Sequence, residues 1–144
     1  MNVLISGGAL AVAGTSVIGT VAAGIVANTG TLLSYLWYGS STNVQLRDYH
    51  RRISKLDIQD KVKLIDAMLE ANAKDPFTKL MEAGVRAVTE DILRQLSDIN
   101  SKISDHKEKW FYGYRNLYID EEIKDLEALT TVLDKKILLL HGYH

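Results

Sequence analysis

Apolar positions recur at helical spacing through most of this chain. Leu46, Tyr49, Ile53 and Leu56 follow one another three or four residues apart, which sets them on one helix face. Ile58, Val62, Ile65 and Leu69 continue the pattern in a shifted phase, with Asp57 standing at the shift as a cap residue. The spacing predicts one helix, or two abutting helices, over residues 43–73. Asp75-Pro76 is the clearest break, since Asp caps helices well and Pro fits the first turn, where its missing N–H is not needed. Phe77, Leu80, Met81, Val85, Val88, Ile92, Leu96, Ile99 and Ile103 then draw a second apolar face to about residue 105. A third begins after Asp120, with Glu121 and Glu122 in the first turn. Ile123, Leu126, Thr130, Leu133, Ile137 and Leu140 form its stripe, Leu129, Leu138 and Leu139 widen it, and Gly142 is a natural stop.

The N-terminal part obeys a different rule. The first forty-six residues carry no charged side chain, and all thirty-five Asp, Glu, Lys and Arg residues follow. Between Val3 and Ala27 nothing is more polar than Ser or Thr. As a helix, these residues would extend about 37 Å, enough to cross a hydrocarbon core of about 30 Å with some tilt. Asn28-Thr29-Gly30 reads as a helix stop or kink. Tyr35, Trp37 and Tyr38 are rings suited to headgroup depth, and Arg47, Arg51, Arg52 and Lys55 follow them. The positive-inside rule places the N-terminus across the membrane and the charged body on the cytoplasmic side.

Within the uncharged stretch Gly7, Ala11, Thr15, Gly19, Ala23 and Ala27 repeat every fourth residue. Small residues on one face let helix backbones approach closely, which is what drives helix association in lipid. The stretch has few bulky aliphatic residues, so insertion of a lone helix is only modestly favourable. Both points predict a helix that packs on copies of itself or on other membrane helices. A signal peptide fits poorly, because no basic residue precedes the run and the run is too long. Gly7-Gly8 and Gly14-Thr15-Ser16 resemble nucleotide-binding turns only superficially: the remaining glycines, the Lys and the acidic residue are missing.

Composition narrows the chemistry. Seventeen basic residues against eighteen acidic ones give no broad basic face for nucleic acid. The chain has no Cys, which removes disulfides, thiolate metal sites and thiol nucleophiles. Residues 107–118 hold Trp110, Phe111, Tyr112, Tyr114 and Tyr118 beside Lys107, Lys109 and Arg115. Trp, Tyr and Arg dominate binding hot spots, so this junction is a candidate docking surface as well as a candidate cap on the bundle. His141 and His144 lack an obvious third metal ligand, and no catalytic motif is recognisable.

The expected architecture is all-α, an N-terminal transmembrane helix followed by a small antiparallel helical bundle or long hairpin. Residues 1–38 form the membrane-spanning segment with its aromatic end, 39–45 a linker, and 46–144 the charged helical domain. The expected function is that of a non-catalytic, single-pass membrane protein with a structural or assembly role, such as a small virion or organelle-complex component. Its expected partners are the bilayer, membrane helices and other proteins of an assembly, with no cofactor, metal, nucleic acid or small-molecule substrate. Two alternatives stand beside it: a holin-like pore former, and a soluble scaffold whose apolar helix is buried in an oligomer.

Overall fold

The structure, a computed structural model, describes residues 18–41, 43–108 and 117–143. These residues form five helices: α1 (Gly19–Gly39), α2 (Val44–Leu56), α3 (Ile58–Ala71), α4 (Pro76–Glu108) and α5 (Asp120–Tyr143). No strand occurs among them.

Local sequence chemistry sets most of the boundaries. The Asn43 side chain accepts the backbone N–H groups of Gln45 and Leu46 at 2.9 and 3.3 Å and so starts α2. Asp75 does the same for α4 by accepting the Thr78 N–H at 3.0 Å. The phase shift after Leu56 is a real joint. Asp57 adopts a left-handed conformation with φ of 52°, ending α2 and starting α3 within one residue. Its side chain makes no capping bond, so the joint rests on backbone geometry. Asp120, expected to cap the last helix, is already its first helical residue. The preceding Ile119 carbonyl accepts the Ile123 N–H instead.

The α2–α3 pair behaves as one jointed leg, so the bundle has four legs. Gln59 of α3 lies beside Val26 and Gly30 of α1, while Ala71 shares a cleft with Gly19, so α3 runs opposite to α1. In contrast, Gly24, Asn28 and Tyr35 meet Leu93, Asn100 and His106 in turn, so α4 runs alongside α1 in the same direction. Gly84 lies beside Lys136 and Gln95 beside Glu122, which makes α5 antiparallel to α4. The core between the legs holds Ile53, Val62, Ile65, Leu69, Ile92, Leu96, Ile99, Ile123, Leu126 and Leu133.

The N-terminal stretch departs most from its sequence reading. Ile18, Ala22, Ile25, Thr29, Leu32 and Leu36 are each at most 6% exposed, and all belong to the common core. Burying side chains such as Ile25 and Leu32 is worth about 1.5–3 kcal/mol each. The second half of the proposed membrane span is thus one leg of the bundle, and no helix of the described residues is long and apolar enough to cross a membrane. The frequent Gly and Thr of α1, with Ser34 and Asn28, hold its mean hydropathy below that of a membrane span. Residues 3–17 of the proposed span lie outside the described residues.

Nor does the helix stop at Asn28-Thr29-Gly30. The Asn28 side chain donates to the Gly24 carbonyl at 2.9 Å, inside the helix. Two neighbouring legs brace the same turn. Gln59 Nε2 donates to the Val26 carbonyl at 2.9 Å, and Asn100 Nδ2 donates to the Asn28 carbonyl and to Asn28 Oδ1 at 3.0 and 3.1 Å. Tertiary hydrogen bonds of this kind override a weak local preference to break.

Candidate docking surface

Because α1 buries one face against α2, α3 and α4, its opposite face is left outside. Thr20, Ala23, Ala27, Thr31, Ser34, Trp37 and Tyr38 are exposed along it, without a charge among them. A groove flanks this ridge on each side. The first, of about 760 Å³, lies between α1 and α3 and is mostly apolar. Gly19, Ala23 and Ala27 line it from α1 and Ala67 and Ala71 from α3, and its charged lining residues are Lys63, Asp66 and Glu70. The second, of about 790 Å³, lies between α1 and α4, where Gly30, Ser34 and Tyr38 face Asn100, Ser104 and Lys107.

The small-residue stripe is not the face that buries α1 in its own bundle. Gly19, Ala23 and Ala27 line the first groove, whereas Gly7, Ala11 and Thr15 lie outside the described residues. The packing face is instead Ile18, Ala22, Ile25, Thr29, Leu32 and Leu36, spaced four and three residues apart in alternation. That regularity matches the α5 stripe and was available as a signal in the sequence, beside the more conspicuous repeat of small residues.

The aromatic and basic residues after the turn at 28–30 have varied surroundings. Tyr35 is half-buried against α4, its hydroxyl 3.5 Å from His106 Nδ1 and its ring 5.5 Å from Lys107 Nζ. Trp37 is 64% exposed and lies tilted against His50 with 5.4 Å between ring centroids, while Tyr38 is 82% exposed. Arg47 donates to the Ser40 carbonyl at 3.1 Å, and Arg51 pairs with Asp48. Arg52 fastens α2 to α5, with guanidinium nitrogens 2.6 Å from Asp120 Oδ1 and 3.0 Å from Glu127 Oε1. Of the second docking candidate, Trp110, Phe111, Tyr112, Tyr114 and Arg115 lie outside the described residues. Tyr118 is exposed, and Leu117 and Ile119 beside it are buried.

The displaced ionisable groups all serve the scaffold. Hydrogen bonding to Glu127 holds the Arg52 guanidinium above its ordinary value. Burial pushes the Tyr49 phenol up, and its hydroxyl donates to the Leu117 carbonyl at 3.0 Å. Burial alone would raise the Glu122 carboxyl, but hydrogen bonds from Lys102 and from its own backbone N–H bring it below the ordinary value. Among the described residues no group of three or more His, Asp and Glu side chains is placed to hold a metal ion. His50 sits 3.4 Å from Ser54, and His106 lies beside Tyr35.

The dominant surface feature is thus an uncharged helix ridge between two grooves, on a bundle whose other faces carry mixed charge. Comparison with protein-family models, with curated proteins and with solved structures finds no match to this chain.

Proposed function

We propose that this protein is a non-catalytic assembly component that attaches to a membrane through its uncharged N-terminal residues and presents the helical bundle to protein partners. One observation carries the reading. The uncharged run of forty-six residues enters the bundle as α1, and even there its outer face is left uncovered by the other helices. Exposed uncharged helix surface is uncommon on a protein that meets only water, and it marks contact with lipid or with another protein.

The division of labour differs from that of a plain anchor followed by a separate domain. Residues 18–39 supply a leg of the bundle and offer lipid only their outer face, so most lipid contact falls to residues 1–17, which also carry no charged side chain.

Vesicle flotation tests the proposal with the full-length protein. The wild-type chain is expected to float with vesicles of neutral and anionic phospholipid, whereas the Leu4→Lys/Leu10→Lys variant stays at the bottom with unchanged helical circular dichroism. Wild-type protein that fails to float with either vesicle type overturns membrane attachment.

A further inference from the structure

We propose that the groove between α1 and α3 is the interface of an antiparallel homodimer, in which Lys63 of one protomer faces Glu70 of the partner subunit. The occupant follows from how charge is arranged around an otherwise apolar surface. On α3, Ala67 and Ala71 are exposed, and Leu64 beside them is 50% exposed. Across the groove Ala23 and Ala27 of α1 are exposed too. Small side chains on both walls give a shallow face against which another helical face can approach closely.

Lys63 and Glu70 both line the groove from α3, seven residues and thus about 10.5 Å apart along the helix. Both are exposed, and neither makes an ion pair among the described residues. A two-fold axis perpendicular to α3 near Ala67 sets a second α3 antiparallel to the first. Lys63 then lies opposite the partner's Glu70, and Glu70 lies opposite the partner's Lys63. One sequence thus supplies both halves of a complementary pattern, as an isologous interface requires. A parallel copy sets Lys63 against the partner's Lys63 and is disfavoured. Asp66, which also lines the groove near the axis, is half-buried and is the one like charge that the two copies bring towards each other there. On the α1 side there is no charge to oppose the approach.

This pairing involves α1 and α3 alone, so it holds whether or not residues 1–17 bind lipid. Sedimentation velocity on the full-length protein measures it directly. The wild type is expected to dimerise, and Lys63→Glu and Glu70→Lys each to raise the dissociation constant about tenfold or more, because each change turns two attractions into two repulsions. The Lys63→Glu/Glu70→Lys double variant restores the dimer. The absence of Cys allows a second measurement. Ala67→Cys, close to the axis, is expected to form disulfide-linked dimers under mild oxidation faster than Leu139→Cys, an exposed site on α5. A monomeric wild type, a double variant no better than the single ones, or equal cross-linking at the two Cys sites overturns the proposal. Flotation of the charge variants at the wild-type level separates loss of the dimer from loss of membrane attachment.

Discussion

Glu122 shows how single side chains fasten this bundle. It sits in the first turn of α5, where the helix dipole favours a negative charge, and it accepts Lys102 from α4. Its folded-state pKa is lowered, so its contribution to stability is fully present above the unfolded value of about 4.3 and is lost as pH falls through the folded value. Glu122→Gln is expected to lower stability at pH 7 by up to about 1 kcal/mol, since Lys102 is half exposed. The gap between variant and wild type should narrow as the pH falls below the unfolded value and through the lowered folded value. Urea midpoints from pH 7 downwards check this, and a gap that grows on acidification contradicts it. Asp57 is a different case. Its left-handed backbone is a conformation that Asp tolerates better than most residues, which is why the phase shift in the pattern becomes a joint and not a loop.

At the scale of the helix, α1 shows what local signals can and cannot specify. The amphipathic stripes of α2 to α5 were legible because charged residues mark the outside of each helix and leave one face to be buried. The stop at Asp75 was legible because Pro76 follows it, whereas the phase shift at Asp57 left one helix or two abutting helices open. On α1 no charge marks the outside, so composition alone could not separate a lipid-facing helix from one leg of a bundle. Asn28-Thr29-Gly30 looked like an end because the amides of Gln59 and Asn100, which brace that turn, come from far along the chain. The stripe of small residues was legible as a packing surface. The grooves beside it depend on how α3 and α4 are placed, which no local pattern encodes. With Gly30 in mid-helix, Gly30→Ala should stabilise the protein by about 0.5–1 kcal/mol, because a Cβ there meets Gln59 Nε2 at an ordinary 3.6 Å. Gly24 differs, since its Cβ would lie 3.2 Å from both Leu93 methyl groups. Gly24→Ile is expected to cost about 1–3 kcal/mol by overpacking the α1–α4 contact. Guanidinium midpoints at constant slope measure both. A destabilising Gly30→Ala would restore the reading of residues 28–30 as a helix end.

For the whole molecule the question is whether α1 belongs to the same cooperative unit as the charged helices. Leu32 lies at 0% exposure in the core shared by all four legs, and it belongs to the half of the uncharged stretch that enters the bundle. Were α1 an independent anchor, truncating Leu32 would leave unfolding of α2 to α5 unchanged. In this fold α1 packs against α2, α3 and α4, so its loss uncovers part of the core that those helices share. Leu32→Ala is therefore expected to destabilise the entire bundle by about 2–5 kcal/mol. Far-ultraviolet circular dichroism should show one transition, with its midpoint moved to lower denaturant and its slope unchanged. A second transition, or an unmoved midpoint, would detach α1 from the bundle. That outcome would also remove the wall that α1 supplies to the α1–α3 groove, so the integrity of this core underlies both the proposed dimer and the withholding of the buried α1 face from lipid.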